Sequence, residues 1–278
     1  MHVAVCIKQV PDTAEVKIDP ETNTLVRAGI ESMANPYDMT ALEEALRLKD
    51  KYGAKVTALS MGPPQADSVL RQALSMGADD AVLLSDRAFA GADTLATSYT
   101  LSKAIETLGL AQPVDLVLCG KQAIDGDTAQ TGPGIAERLG LTQFTYVIDV
   151  ESIDPDTRRV RVRRKVDGGF EVISGRLPAL LSVELELATP RRASLPMLID
   201  SFRAPIKIWD AKAINASLDL VGLKGSPTWV KAIASPQVHR AGPKWDAAQG
   251  LSQAVSAAMD TLFSDENFAA AFQKGWKP

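Results

Sequence analysis

Residues 114–140, VDLVLCGKQAIDGDTAQTGPGIAERLG, place an apolar run of strand length directly before a polar turn and a helical segment. The turn is rich in Gly, Asp, Thr and Gln. Apolar strands that alternate with helices are typical of a parallel sheet with helices on both faces. Ligands of such sheets bind beyond the carboxyl ends of the strands. This stretch therefore predicts a fold class and indicates where a site would lie.

The same alternation continues on both sides of this stretch. Strand-like apolar runs occur at 3–7, 55–61, 81–85 and 144–150, and helical patterns lie between them at 39–52, 65–76 and 94–109. Gly53 follows the first helical pattern, as a glycine does just past a helix C-terminus. We expect an α/β protein in which a parallel, Rossmann-like sheet is flanked by helices.

The pattern changes after the fifth strand-like run. Two alternating runs meet at Asp167-Gly168-Gly169 and predict a β-hairpin over 158–175, and residues 177–188 supply one more strand. Prolines are frequent after that strand, and no sustained periodicity occurs before 247–263, which predicts a terminal helix. Long irregular segments are usually functional or lie against another chain. The expected domains are an α/β domain over 1–188, including the hairpin, and a partner loop with a C-terminal arm over 189–278.

Composition disfavours several classes of protein. The net charge of −4 gives no reason to expect a nucleic-acid partner. No apolar run reaches the roughly 18 residues of a membrane span, so we expect a chain that does not span a membrane. Cys6 and Cys119, the two cysteines, suit a reducing cytoplasm better than a disulfide framework. The two histidines stand in poor contexts for a catalytic triad or a metal site.

The turn that follows Gly120 has the chemistry of an anion site. Gly120 and Gly126 would let the backbone approach a ligand closely. Asp127 or Thr128 could cap the following helix, whose first N–H groups attract anions. The neutral side-chain donors that suit a phosphate are Thr128, Gln130 and Thr131. The turn therefore favours a ligand that carries phosphate.

Two considerations keep this interpretation open. Asp125 and Asp127 would repel a phosphate if both faced it, so we expect at least one to cap the helix or to accept from a ribose hydroxyl or a ring N–H. The turn is neither a GxGxxG fingerprint nor a P-loop, and helix capping alone is the commoner role of such turns. From pattern alone, the prediction stops at a nucleotide-binding α/β subunit.

Segments from one end of the chain to the other follow a known order. They include VAVCIKQVPD (3–12), ANPYDMTALEEALRLK (34–49), DLVLCGKQAIDGDTAQTGP (115–133), KVDGGFE (165–171) and PRRASLPML (190–198). In this order they resemble the beta subunit of an electron-transfer flavoprotein. The match runs almost end to end, and its specificity comes from the combination rather than from any one segment.

The resemblance implies a heterodimer with a larger alpha subunit that carries a flavin, and a beta subunit that supplies an adenine-nucleotide site. The nucleotide-contacting positions that it implies are Cys6, Asn35, Ser60, Met61, Gly120, Gln122, Asp125, Gly126, Asp127, Thr128, Ala129, Gln130 and Thr131. Lys8 and Asp38 are candidates for contacts beside a flavin ring, although Lys8 is equally well a surface lysine at a strand end. Leu195 is the implied contact to electron-transfer partners, since an exposed apolar side chain favours docking.

The turn DGDTAQTGP (125–133) resembles in particular the bifurcating members of the family, whose beta site holds a second FAD instead of AMP. Gly126 stands where simpler members carry paired carboxylates. The resemblance then implies that NADH gives a hydride to this FAD. One electron passes to ferredoxin or flavodoxin, and the other passes through the alpha-subunit flavin to an acyl-CoA dehydrogenase-type partner. The alternatives are an AMP-binding carrier that serves a quinone reductase, and a universal-stress-type nucleotide-binding regulator.

Overall fold

The structure is a computed structural model in which residues 1–12, 32–231, 248 and 250–264 are described. The chain divides into two compact units, Met1–Ile233 and Ala234–Pro278, and each is described by itself. The first unit contains a mostly parallel sheet with helices on both faces, which confirms the predicted α/β class. In the described part of the chain, no helix is long and apolar enough to cross a lipid bilayer.

The described strands are β1 (His2–Cys6), β2 (Gln9–Pro11), β3 (Ser32–Ala34), β4 (Lys55–Met61), β5 (Asp80–Leu84), β6 (Leu116–Gly120), β7 (Thr142–Asp154), β8 (Arg159–Val166), β9 (Gly169–Arg176), β10 (Ala179–Val183) and β11 (Lys207–Trp209). Nine of them form one sheet in the order β11-β5-β4-β1-β6-β10-β7-β8-β9. β1 pairs in parallel with β4 on one side and with β6 on the other. β7, β8 and β9 pair antiparallel at one edge, and β2 and β3 form a separate antiparallel pair.

The described helices of the first unit are α1 (Pro36–Tyr52), α2 (Asp67–Met76), α3 (Thr94–Ala111), α4 (Thr131–Leu139) and α5 (Leu195–Arg203). The alternation along β1 shows how they cover the sheet. Val3 and Val5 pack with Leu42 of α1 in one apolar cluster. Ala4 packs with Ile105 of α3 in a second cluster on the other face. Because both faces are covered, β1 is apolar over nearly its whole length. Each buried leucine or isoleucine of this kind contributes roughly 1.5–3 kcal/mol.

α1, the helix that matters most for the site, begins at Pro36, three residues before the predicted 39–52, and ends at Tyr52 as predicted. Pro36 lies in the first turn, where the missing N–H removes no helical hydrogen bond. Gly53 terminates the helix with φ 64°, and its N–H donates to the Lys49 carbonyl at 2.8 Å. A left-handed glycine is the usual termination of this kind. The ends of α1 are thus set by local sequence.

The antiparallel edge of the sheet confirms the predicted hairpin and lengthens one predicted strand. β8 and β9 flank Asp167-Gly168, and Gly168 has φ 79°. β7 extends from Thr142 to Asp154, beyond the predicted 144–150, because it continues past the parallel sheet to pair with β8. The extra length depends on pairing with β8, and the hydrophobic periodicity of the β7 sequence cannot predict that pairing.

Two elements lie where no periodic element was expected. α5 and β11 are nine and three residues long, too short to establish a sequence period. The predicted terminal helix is confirmed as α6 (Leu251–Phe263) in the second unit, and none of its residues is buried. Residues 247 and 249 of the predicted helix lie outside the described residues. The division into compact units falls after Ile233, and the partner-loop and arm roles of 189–278 stay predictions.

Candidate functional site

The sheet has a topological switch point between β1 and β6. From β1 the strand order runs through β4 and β5 on one side, whereas β6 and β10 lie on the other. Cys6 and Cys119 are paired at the carboxyl ends of the two strands, directly before Gly120. In open parallel sheets a crevice forms outside the carboxyl ends at such a point, and ligands bind there. The sequence-predicted nucleotide positions lie at the carboxyl ends of β1, β4 and β6, at Asn35 before α1, or in the segment that follows β6.

Asp38, in the first turn of α1, joins the two strand ends. Its buried carboxylate accepts from the Lys8 N–H at 2.8 Å and from the Gly120 N–H at 2.9 Å. Burial raises the pKa of Asp38 to about 6, although both N–H groups favour the ionised form. Asp38 therefore bonds to the protein's own backbone on both sides of the switch point, and its predicted contact with a flavin ring stays a prediction.

Asn35 bonds the backbone of the 121–130 loop, which lies between β6 and α4. Its fully buried side chain donates through Nδ2 to the Gln122 carbonyl at 2.8 Å. Its Oδ1 accepts from the Ile124 N–H at 3.2 Å. The Asn35 N–H donates to the Lys8 carbonyl at 2.9 Å. These three bonds hold the loop against the segment that follows β1, so Asn35 sets the shape of the crevice whatever binds there.

The two carboxylates of the loop have partners within the chain. Lys8 Nζ donates to both carboxylate oxygens of Asp125 at 2.6 and 2.7 Å. Gln122 Nε2 donates to Asp127 Oδ1 at 2.7 Å. Because Lys8 compensates the charge of Asp125, the repulsion of a phosphate that the sequence suggested is reduced. Lys8 is thus an exposed lysine near the end of β1 that pairs with Asp125, and its contact beside a flavin ring stays a prediction.

The prediction that Asp127 or Thr128 caps the next helix is wrong. α4 begins at Thr131, Gln130 occupies the N-cap position, and no side chain caps the helix there. The reason is the length of the loop, which makes a turn at 124–126 and then continues for four residues before the helix begins. Thr131 and Gly132 are the first two helical residues, whose N–H groups have no acceptor inside an α-helix. Uncapped N–H groups at a helix N-terminus attract anions.

The two glycines of the turn are glycine for different reasons. A Cβ at Gly120 would lie 2.5 Å from Asp38 Oδ1 and 2.5 Å from the Tyr37 Cβ, so α1 requires glycine there. The space that Gly120 leaves is therefore filled by α1. A Cβ at Gly126 would meet nothing within 4 Å, and its φ lies outside the left-handed range. Neither packing nor backbone conformation within the described chain requires glycine at 126.

Backbone strain marks the same loop. Asp127 has φ 49° and Ala129 has φ 53°, so two non-glycine residues adopt the left-handed conformation on either side of Thr128. Such residues cost on the order of 1–3 kcal/mol and concentrate at functional sites. Asp125, Gly126, Asp127, Thr128 and Gln130 are exposed, whereas Gln122, Ala129 and Thr131 are half-buried. The loop presents strained, exposed polar groups beside the crevice, and their contacts with a nucleotide stay predictions.

The carboxyl end of β4 adds an unsatisfied polar atom. Ser60 is 1% exposed, and its hydroxyl has no hydrogen-bond partner among the described residues. Buried hydroxyls without a partner are uncommon and need an explanation. Met61 follows it, half-buried, at the end of the strand. A ligand atom that reached Ser60 would satisfy the hydroxyl.

The cysteines of the crevice are not nucleophiles. Burial, with a smaller contribution from Asp38, raises the pKa of the Cys6 thiol to about 12. Burial also raises the pKa of Cys119 well above its ordinary value. Both side chains are therefore neutral thiols at physiological pH, and a neutral thiol is a poor nucleophile. Cys6 can contact a ligand but not attack it.

A second ion pair, which was not predicted from the sequence, lies at the carboxyl ends of the strands. Lys121 Nζ lies 3.1 Å from Glu184 Oε1, and the Glu184 residue is 5% exposed. Lys121 Nζ also lies 5.5 Å from the centre of the Tyr146 ring. Lys121 follows β6 and Glu184 follows β10, which are parallel neighbours. The strand-end rule that located the crevice would have placed these two residues side by side.

Leu195, the sequence-predicted partner contact, is the first residue of α5 and lies apart from the crevice residues in sequence. Its side chain is 69% exposed. The Ser194 hydroxyl accepts from the Met197 N–H at 3.4 Å at the start of the helix. The expected exposure of an apolar side chain is present, and the docking role stays a prediction.

Fold and site together define a class, a parallel-sheet α/β protein with a polar crevice at its topological switch point. Residues 22–216 match the family profile described as electron transfer flavoprotein domain. The chain is 52% identical over 242 residues to the electron transfer flavoprotein subunit beta of Clostridium acetobutylicum, covering 87% of this chain and 91% of the relative. It therefore belongs to the electron transfer flavoprotein family, among the beta subunits, which confirms the resemblance and implies an alpha subunit as partner.

Two further relatives agree with this assignment. Protein FixA of Azotobacter vinelandii is 48% identical over 238 residues, which cover 85% of each chain. The caffeyl-CoA reductase-Etf complex subunit CarD of Acetobacterium woodii is 49% identical over 243 residues, which cover 87% of this chain and 90% of the relative. The family assignment sets aside the universal-stress-type alternative.

Proposed function

We propose that this chain is the beta subunit of a cytoplasmic, bifurcating electron-transfer flavoprotein that binds FAD in the β1–β6 crevice and takes electrons from NADH. Bound FAD would supply the hydride and single-electron chemistry, which belongs to the flavin rather than to the protein. The proposed acceptors are ferredoxin or flavodoxin and an acyl-CoA dehydrogenase-type flavoenzyme. The Acetobacterium woodii relative is named as a subunit of a caffeyl-CoA reductase complex, which supports a partner that acts on CoA thioesters.

The space at Gly126 is the observation that carries the proposal. Gly120 is explained by the approach of α1, whereas nothing in the described chain lies within 4 Å of a Cβ at Gly126. The glycine leaves the loop without a side chain beside the crevice, and the small Ala129 follows. A dinucleotide needs such a passage for its second phosphate and ribose, whereas a mononucleotide ends earlier. The open loop therefore favours FAD over AMP.

The residues around the crevice fit the polar parts of an adenine nucleotide. The uncapped N–H groups of Thr131 and Gly132 would donate to the oxygens of a phosphate. The Ser60 hydroxyl, buried and without a partner among the described residues, would bond to a ligand at the end of β4. Asn35 and Asp38 would hold the two sides of the crevice in place. These residues bind and orient, and none of them transfers electrons.

Nucleotide content tests the proposal directly. The chain is co-expressed with its alpha subunit, the heterodimer is purified and denatured, and FAD and AMP are quantified by chromatography. Two FAD and no AMP per heterodimer is the expected result, with reduction by NADH as the following assay. One FAD with one AMP would contradict the proposal and favour the alternative of an AMP-binding carrier.

A matched pair of variants tests whether Gly126 is responsible. Gly126→Asp adds a side chain and a charge to the loop, and we expect FAD occupancy of the beta site to fall at least severalfold. Gly169→Asp is the control, because a Cβ at Gly169 also meets nothing within 4 Å and the residue is equally exposed, but on the hairpin. Equal FAD content in both variants would show that the space at Gly126 does not select the nucleotide.

A further inference from the structure

α5 is a short helix with an unusual surface. Only Ser201 among its nine residues is buried. Its exposed apolar side chains are Leu195, Met197, Leu198, Ile199 and Phe202. An isolated helix of this length is not stable in water, and this one has little buried surface to compensate. It packs along α2, and polar contacts at its ends fix its position further.

Arg191 provides one of these contacts, four residues before the helix begins. Its guanidinium donates to Glu43 through Nε at 2.9 Å and through Nη2 at 3.1 Å, and its backbone N–H donates to Glu43 Oε2 at 2.9 Å. Nη2 also donates to Asp50 at 2.8 Å. Glu43 is 5% exposed, so this forked pair is largely shielded from water, where a charge-assisted bond is strong. Arg191 thus fastens the segment before α5 to α1.

Arg71 provides the second contact, at the other end of the helix. Its Nη1 donates to the Ser201 carbonyl at 2.7 Å and to the Phe202 carbonyl at 3.2 Å. These carbonyls belong to the last turn of α5, where a cation also complements the helix dipole. Asp67, one turn earlier on α2, accepts from Arg71 Nε at 2.6 Å and fixes the direction of the guanidinium. α5 is therefore fastened to α1 before its start and to α2 at its end.

We propose that Arg191 and Arg71 are positioning residues that hold α5 in its docking orientation before a partner arrives, an inference that rests on the proposed docking role of Leu195. Ordering a loop or a short helix on binding costs affinity, and a preformed surface avoids that cost. The occupant is the acyl-CoA dehydrogenase-type flavoenzyme of the proposed function, which the name of the Acetobacterium woodii relative, a caffeyl-CoA reductase-Etf complex subunit, supports. Neither arginine needs to touch the partner.

Hydrogen exchange and steady-state kinetics on the intact heterodimer test this proposal. In Arg191→Met and Arg71→Met, amide exchange over residues 192–203 should accelerate at least tenfold. The KM for a purified acyl-CoA dehydrogenase, used as the electron-exchange partner, should rise severalfold while kcat stays within a factor of two. Arg191→Lys keeps the charge but not the fork, and should restore part of both effects. Arg159→Met, an exposed arginine on the hairpin, is the control and should change neither measurement.

The outcomes separate this proposal from the docking role itself. If Leu195→Ala leaves the KM unchanged, the docking role fails, and the exchange data still report whether the arginines hold α5. If Leu195→Ala raises the KM but both arginine variants leave exchange and KM unchanged, the positioning role is overturned. Asp50→Ala removes one bond of the set at an exposed position, so it gives a smaller change of the same sign even if Arg191→Met folds poorly.

Discussion

The 121–130 loop exposes polar residues and α5 exposes apolar ones, and a function is proposed for each. The rest of the protein holds these two regions in different ways. The loop is held by the buried Asn35, just before α1, which bonds its backbone at Gln122 and Ile124, and Asp38 of α1 bonds the Gly120 N–H at the strand end before it. α5 packs along α2 and is fastened near its two ends by two arginines. The first support fixes the shape of a cavity, whereas the second fixes the direction of a helix. A ligand site and a docking site thus make different demands on the same fold.

The largest effect should come from the packing beneath the loop. Gly120→Ala places a methyl group 2.5 Å from Asp38 and Tyr37 atoms, and we expect a loss of about 3 kcal/mol or more in the free energy of unfolding, because close-packed backbone cannot yield. Gly126→Ala meets nothing within 4 Å and should stay within about 0.5 kcal/mol of the original chain. Urea denaturation of the two heterodimers measures both. Similar losses would contradict the distinction drawn between the two glycines.

The next largest effect tests the support of the loop by Asn35. Asn35→Ala leaves the Gln122 carbonyl and the Ile124 N–H without their partner, and should cost about 2–4 kcal/mol, since unsatisfied buried groups are expensive. Nucleotide occupancy, measured by chromatography, should fall with it. Thr40→Val removes another buried polar group of α1, whose hydroxyl bonds only the Pro36 carbonyl one turn away. An equal loss of nucleotide in Thr40→Val would show that α1 stability, and not the bonds of Asn35, controls the loop.

The hydrogen bonds that hold the loop and α5 show which parts of the site can be predicted from the sequence and which cannot. The strand-end rule located the crevice because Cys6 and Gly120 end apolar runs, which are local features. The partner of Asn35 is 87 residues away in sequence, and the partner of Arg191 is 148 residues away. Periodicity and capping signals report only neighbours within a few residues. Bonds that tertiary packing creates cannot be read from them.

The wrong N-cap assignment has the same origin. Asp127 and Thr128 are favourable N-cap residues, and local propensity places a helix start beside them. In the structure, Asp127 accepts a hydrogen bond from the Gln122 side chain, and α4 begins only at Thr131. The loop beside the crevice is therefore longer than local propensity predicts. Local preference fails at the residues proposed to have a function, where such failures are expected.

Glu44, a buried carboxyl of α1, predicts a pH dependence of stability. Burial, with Asp149 and Glu43 nearby and Arg47 opposing, raises the pKa of Glu44 to about 7 from 4.5. The folded protein therefore holds this proton more tightly than the unfolded chain, and Glu44 destabilises the fold increasingly as pH rises from about 4.5 to 7. Glu44→Gln should be more stable by up to about 3 kcal/mol at pH 8 and equal at pH 4. Thermal unfolding at both pH values checks this, and a gain independent of pH would contradict it.

The smallest effect concerns the Lys8–Asp125 pair, whose side chains are 47% and 32% exposed. An exposed pair contributes about 1 kcal/mol or less and is screened by salt, so Asp125→Asn should change stability little. Asp125→Asn should change nucleotide binding more than it changes the free energy of unfolding, because Lys8 then becomes available to a phosphate. We expect tighter nucleotide binding in Asp125→Asn and weaker binding in Lys8→Met, measured by titration calorimetry at low salt. Weaker binding in both variants would mean that Asp125 itself contacts the nucleotide, and the pair would then belong to the binding surface rather than to its support.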